Sequence, residues 1–291
     1  DKDGYAPDRE EIGRAIEMIA ANMDNIASEQ VYKDCFSMMD LTTLKTDDTP
    51  ASVAKLVEKV NAFHKSYPEW PLPASVCVFS NFAATVKEVR KEDFNITVVS
   101  ACFPSSQSFL EVKLKEVEMA VEQGADEVDI VLALNAFLAG NYEVAAEEIR
   151  QVRRVIDEVA GKQGRNVHLK VILETGLLKT PENIANASFL AMEAGADFIK
   201  TSTGKVDVNA TPLAAYVMCE CIGIYRMATG KKIGFKPAGG ISSAADALCY
   251  YSIVSSLLGK DWLNKELFRF GVSRVANSLL SAVEQKTVSY F

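Results

Sequence analysis

Lys170, Lys200, Lys236 and Asp129 interrupt four short runs of otherwise largely apolar residues. In EVDIVLAL (127–134), Val128, Ile130 and Leu132 share one face and leave Asp129 on the other. In HLKVILET (168–175), Leu169, Val171 and Leu173 oppose His168, Lys170, Ile172 and Glu174. DFIKTS (197–202) sets Ile199 against Phe198, Lys200 and Ser202, and KIGFKPAG (232–239) alternates Ile233 and Phe235 with Gly234 and Lys236. A period of two is the geometry of a strand. Dehydrating an ammonium is costly, so buried lysines are rare without a partner or a task. A lone case would read as a structural ion pair. Charges on four successive strands, all facing one interior, describe a reaction centre.

The chemistry that suits lysine there is attack on a carbonyl. The attacking amine must be neutral, although its ordinary pKa is about 10.4. Burial and a nearby cation both lower that value. Lys236 or Lys170 supplies the cation, and Asp129 can pair with a flanking lysine and move protons. Asp40, at the end of the first strand, is either a second carboxylate of the centre or a cap of the strand–loop junction.

The elements that must hold these residues follow from the alternation along the chain. Further strand runs centre on FSMMDL (36–41), SVCVFS (75–80), ITVVSACF (96–103) and FRFGVS (268–273), giving eight. Amphipathic stretches such as 108–123 and 181–194 separate them. Eight strands alternating with helices predict an α/β fold, a single-domain (β/α)8 TIM barrel. Its rival, an open doubly wound sheet, lacks a G-x-G-x-x-G after the first strand. The periodicity over 8–29 predicts an extra N-terminal helix, so 1–30 form an extension, 31–282 the barrel and 283–291 a tail. The proline-bearing HKSYPEWPLPAS (64–75) reads as a loop, not a domain linker.

An internal repeat supports the barrel. MAVEQGADEVD (119–129) aligns without gaps with LAMEAGADFIK (190–200), and Gly124 and Gly195 are expected to end their helices in a left-handed conformation. The repeat puts Asp129 and Lys200 at equivalent strand positions, 71 residues apart. It argues for the fold and says nothing of the chemistry.

Composition narrows the function classes. The 291 residues carry a net charge of −8, which speaks against a nucleic-acid binder. No run approaches the roughly 18 consecutive apolar residues of a membrane span. DKDGYAPDREE is too acidic and polar to act as a signal peptide. Six cysteines without CxxC spacing and two isolated histidines predict reduced thiols in a cytoplasmic protein and no metal site. No cofactor is expected.

The loops after the later strands look suited to an anion. KTSTGK (200–205) offers hydroxyls, Gly204 and Lys205. KPAGG (236–240) offers Gly239 and Gly240, and FGVSR (270–274) offers Gly271, Ser273 and Arg274. Loops at this end of a barrel commonly bind phosphate.

The strings MDLTTL (39–44), ADEVDIV (125–131), LKVILETG (169–176), GADFIKTSTGK (195–205), VNAT (208–211), GFKPAGGI (234–241) and LFRFG (267–271) resemble the deoxyribose-phosphate aldolase family. The likeness covers about residues 36 to 280. It implies metal-free, reversible cleavage of 2-deoxy-D-ribose 5-phosphate to acetaldehyde and D-glyceraldehyde 3-phosphate. Position by position, it implies that Lys200 forms the imine, Lys236 lowers its pKa and Asp129 transfers protons. Lys170 matches a further active-site lysine. Lys205, Gly239, Gly240 and Ser273 match the phosphate set, and Cys77, Thr42 and Leu44 match the pocket wall. A homodimer is a family-level expectation.

Three departures stand out. Ser106 replaces a glycine after strand three, and Arg274 replaces a small hydroxylic residue, either strengthening phosphate binding or facing solvent. Long members of the family often end in tyrosine, but here Phe291 follows Tyr290, and a frayed terminus is expected. Rival functions are another imine-forming aldolase, a silent barrel that only binds a sugar phosphate, and a metal-dependent aldolase.

Overall fold

The computed structural model describes residues 4–291, and each of the eight alternating runs forms one parallel strand. These are β1 Met39–Thr42, β2 Ser75–Phe79, β3 Asn95–Val99, β4 Glu127–Val131, β5 His168–Ile172, β6 Phe198–Lys200, β7 Gly234–Lys236 and β8 Phe270–Val272. Hydrogen bonding runs in the order β7-β6-β5-β4-β3-β2-β1-β8. Bridges between Phe235 and Phe268, and between Ala238 and Gly271, join β7 to β8 and close the barrel. Helices cover the outside, and no described helix is long and apolar enough to cross a membrane.

The two Gly-Ala-Asp turns are stitches between neighbouring strands. Gly124 (φ +109°) and Gly195 (φ +114°) take the positive φ expected of them. Ala125 and Ala196 then donate back to Ala120 and Ala191 at 3.1 Å, the signature of a Schellman cap. The aspartates that follow do the same job twice. Asp126 accepts from the amide of Ile96 at 2.8 Å and from Arg90 at 2.9 Å. Asp197 accepts from the amide of Leu169 at 2.8 Å and from Arg153 at 2.7 Å. Each stitch fixes strand register three residues before Asp129 or Lys200.

That register groups the lumen side chains into three layers of four, drawn from alternate strands as a barrel of this shear requires. The lowest holds Ser75, Glu127, Phe198 and Arg269. The middle layer holds Asp40, Thr97, Lys170 and Lys236, from the odd strands. The upper layer holds Cys77, Asp129, Lys200 and Gly271. Gly234 has no side chain because a Cβ there would meet the Phe198 ring at 2.3 Å.

The ends of the chain depart from expectation. The helix predicted over 8–29 is broken: it runs Arg9–Ala21, pauses at Asn22 and resumes over Met23–Ile26. Asn25 donates its side-chain amide to the Asn22 side chain at the break, and Ser28 caps a third helix, Glu29–Ser37. Phe36 and Ser37 therefore belong to that helix, and strand one starts later than predicted. The tail is not frayed. Asn277 receives the amides of Tyr290 and Phe291 at 2.9 and 3.0 Å, and the Tyr290 hydroxyl donates to the Lys59 carbonyl at 2.8 Å. Both rings pack on Phe63, with centroids 5.3 and 5.5 Å away.

Candidate active site

Asp40, Glu127, Asp129, Lys170, Lys200, Lys236 and Arg269 form one continuous ion lattice inside the barrel. All are 0% exposed except Lys200, at 3%. Asp129 is the hub. Its Oδ2 accepts from Lys236 at 2.8 Å and Lys200 at 3.0 Å, and its Oδ1 from Lys170 at 3.1 Å. Asp40 accepts from Lys236, from Arg269 at 2.7 Å and from the Ser75 hydroxyl at 2.7 Å. Of its two sequence readings the first holds: the carboxylate lies in the lumen and caps no loop. Arg269 forks onto Glu127 at 2.7 and 2.8 Å, and Lys170 reaches Glu127 as well.

Among the described residues this lattice has four cations and three carboxylates. One proton is in surplus, and the geometry shows where it is most weakly held. Lys236 leans on two carboxylates and Lys170 on three. Lys200 has one described carboxylate partner, and it shares that oxygen with Lys236. Burial, opposed by Asp129 and helped by the Lys236 ammonium, leaves the pKa of Lys200 below that of an ordinary lysine. Lys236 and Lys170 suffer the same burial, yet their carboxylates outweigh it and raise them. Burial also opposes the ionised form of Glu127, but Lys170 and Arg269 overcome it and hold the carboxyl at about 2. The lattice thus keeps its lower cations charged and leaves one amine able to become neutral.

Lys200 opens onto a cleft of about 540 Å³ at the C-terminal mouth of the strands. Thr42, Leu44, Gly204, Lys205, Gly239, Gly240, Ser273 and Arg274 line it, so the sequence-predicted anion set does converge there. Lys45, which the sequence reading passed over, joins them. The lining carries Lys45, Lys205 and Arg274 without a carboxylate, and Gly239 (φ +81°) and Gly240 (φ +75°) form a turn whose amides can face an anion. A Cβ on Gly239 would meet Asn209 at 2.7 Å, and the Asn209 side chain in turn accepts from the Gly204 amide at 3.0 Å. Lys205 donates to the Leu44 carbonyl at 2.6 Å, tying the loop after β6 to the loop after β1.

Cys77 sits beside Lys200 in the upper layer, fully buried with Leu44 and Val99, and Phe79 and Phe103 pack onto that cluster. Burial raises its thiol above the ordinary range, so it stays neutral. Ser106 takes φ +56°, a conformation natural to the glycine it replaces, and Lys113 anchors it through a 3.0 Å bond to its carbonyl. Glu127 and Arg269 were missed from the sequence. Both were legible by the same period of two: Glu127 shares the face of Asp129, and Arg269 that of Gly271 and Ser273.

A barrel with a lysine poised at its C-terminal mouth is the architecture of a Schiff-base aldolase, and comparison with known proteins agrees. The family model described as DeoC/LacD family aldolase matches residues 35–249, and the chain belongs to that family; it is an aldolase, a carbon–carbon lyase. It is 42% identical to the deoxyribose-phosphate aldolase of Homo sapiens, over 86% of this chain and 78% of the relative. The Bos taurus deoxyribose-phosphate aldolase is 39% identical over 85% and 78%. Among solved structures, "QR15, an Aldolase" superposes with a TM-score of 0.68 at 25% identity, covering 87% of this chain and 97% of its own. A deoxyribose phosphate aldolase from Aeropyrum pernix, described as a unique tetramer, shares the fold with a TM-score of 0.66 at 21% identity, covering 95% and 98%.

Proposed function

We propose that the chain reversibly cleaves 2-deoxy-D-ribose 5-phosphate to acetaldehyde and D-glyceraldehyde 3-phosphate through an imine on Lys200. The observation that carries the reading is the position of Lys200. It is the lattice amine that opens to the cleft, and the most weakly held of the four cations. Neutral Lys200 adds to the C1 aldehyde of the open-chain sugar, and loss of water leaves a protonated imine. The C3 hydroxyl gives up its proton, the C2–C3 bond breaks, and its electron pair runs into the imine as an enamine. The new C3 aldehyde departs as glyceraldehyde phosphate. Protonation of C2 and hydrolysis of the imine release acetaldehyde and restore the amine.

Asp129 is the group we assign to proton transfer, through a water at the C3 hydroxyl and the enamine carbon. Lys236 keeps Lys200 neutral, and Lys170 holds the second oxygen of Asp129. Lys205, Gly204, Gly239, Gly240 and Ser273 receive the phosphate, with Thr42 on the wall; Cys77, expected there from the sequence, is buried outside the cleft lining beside Lys200. A reducing, cytoplasmic setting suits cysteines that form no disulfide among the described residues. A homodimer is the assembly we carry over from the family; light scattering distinguishes it from a tetramer.

The test is mass spectrometry after acetaldehyde and borohydride, with mapping of the modified lysine. A two-carbon adduct on Lys200, lost in Lys200→Leu, is expected, together with turnover of 2-deoxyribose 5-phosphate. No adduct on folded protein overturns the imine. An adduct without turnover favours another imine-forming aldolase.

A further inference from the structure

Glu127 and Arg269 take no part in the steps above. They lie in the lowest layer, fully buried, and neither lines the cleft. A buried arginine and glutamate so placed could be a plain structural pair, yet their bonds run upward into the reacting layer. Arg269 occupies Asp40 Oδ1, and Lys236 takes the other oxygen. Glu127 holds Lys170 from below, and Lys170 reaches up to Asp129 Oδ1. Two chains of alternating charge therefore start at Arg269 and meet at Asp129: one through Asp40 and Lys236, the other through Glu127 and Lys170.

We propose that Arg269 and Glu127 are positioning residues of opposite sign that set, through this lattice, how readily Lys200 sheds its proton. The argument is one of charge balance in a space with little screening. With four cations and three carboxylates, loss of one proton makes the lattice neutral, and Lys200 is the amine least held. Remove the Arg269 charge and three cations face three carboxylates, so protonated Lys200 is already balanced. Remove the Glu127 charge and four cations face two carboxylates, so Lys200 gives up its proton more easily. The groups around Lys200 are Asp129 from β4, Lys236 from β7 and Cys77 from β2. Lys170 and Asp40 act on it through Asp129 and Lys236, and Lys205 lines the cleft it opens to. No carboxylate in the cleft lining competes with this balance.

The inference rests on the imine chemistry proposed for Lys200, and the experiment separates the two. The rate of acetaldehyde adduct formation on Lys200 with cyanoborohydride, located by peptide mapping, is followed over a pH series. Wild type shows an acid limb where Lys200 becomes protonated. In Arg269→Gln that limb moves to higher pH, by on the order of one unit; in Glu127→Gln it moves to lower pH by a similar amount. The double variant, which restores the charge balance, returns the limb toward wild type. Damage to structure alone would slow both single variants without moving their limbs in opposite directions. Limbs that stay in place, or move the same way, overturn the proposal while leaving the imine intact. Absence of any wild-type adduct overturns the imine itself. If Arg269→Gln does not fold, the limbs of Glu127→Gln and the double variant decide: an unmoved Glu127→Gln limb sinks the proposal.

Discussion

Lys200 and Lys236 donate to the same oxygen, Asp129 Oδ2, from 3.0 and 2.8 Å. One carboxylate oxygen cannot fully compensate two ammonium groups in a dry interior. Lys236 also leans on Asp40, and Lys200 has no second described carboxylate. The shortage therefore falls on Lys200.

Replacing Lys236 with leucine removes the cation that competes for this oxygen. Asp129 then holds the Lys200 ammonium more firmly, and the acid limb of kcat/KM moves to higher pH. At neutral pH activity is expected to fall by about 100-fold or more. A loss of rate with an unmoved limb would assign Lys236 a different role.

Lattice carboxylates should also govern acid stability. Glu127 titrates at about 2 in the fold against an ordinary 4.5. Asp40 and Asp129 are lowered as well, by Lys170 first among their cations, against the opposing effect of burial. A depressed carboxyl contributes stability that is present above its unfolded value and lost as pH falls through its folded one. Thermal melts should show Tm falling as pH drops below 4.5 toward 2. Glu127→Gln should start from a lower Tm at neutral pH and lose less across that window.

Gly239→Ala tests the anion end. The added methyl meets Asn209 at 2.7 Å in a backbone with φ +81°, so the turn must shift. KM for 2-deoxyribose 5-phosphate should rise by about 10-fold. The value of kcat/KM for unphosphorylated 2-deoxyribose should change by no more than about two-fold. Equal losses on both sugars would move the phosphate elsewhere.

The tail makes a prediction of the opposite kind. Tyr290 and Phe291 pack on Phe63 on the outer wall, and Tyr290 is bonded to the Lys59 carbonyl. Phe291→Ala should cost roughly 2–4 kcal/mol, seen as a lower Tm, with kcat retained. Lost kcat at unchanged Tm would instead put the tail over the cleft.

Much of this was legible because a barrel strand has only two faces. Asp129, Lys170, Lys200 and Lys236 betray themselves as charges within aliphatic runs, and the repeat that contains two of them marks their common height. The reading stopped short at Glu127, which adjoins the Gly-Ala-Asp turn and so resembles a polar strand entrance. Arg269 escaped notice for a similar reason: it is the second residue of the run FRFGVS (268–273), where an arginine reads as a polar strand entrance. Strand ends were read too long at 132–134, 173–175 and 201–202. Leu132, Leu173 and Thr201 still donate to the neighbouring strand at 2.9, 2.9 and 3.0 Å, so the ladder fades there rather than stopping at a residue the composition marks. The Thr203 amide beyond them turns to Glu174 at 3.1 Å, a contact no local pattern announces. The tail contacts draw on Phe63 and Lys59 from one helix and Asn277 from another, which come together only once the helices have packed.

The upper layer has a position for four side chains and is furnished with three, because Gly271 completes it. A Cβ at Gly271 would meet Ala238 at 2.6 Å and Lys236 Cε at 3.0 Å, and the cleft reaches Lys200 along that flank. Cys77 and Asp129, the other two side chains of the layer, are fully buried and do not line the cleft. On the mechanism proposed above, an aldehyde adding to an enamine on Lys200 would approach from the β8 side. The enamine's terminal CH2 becomes no stereocentre, so the configuration at the new hydroxyl carbon follows from which face of the aldehyde the cleft turns toward Lys200, and the room for that approach is left by a methyl group the barrel does without.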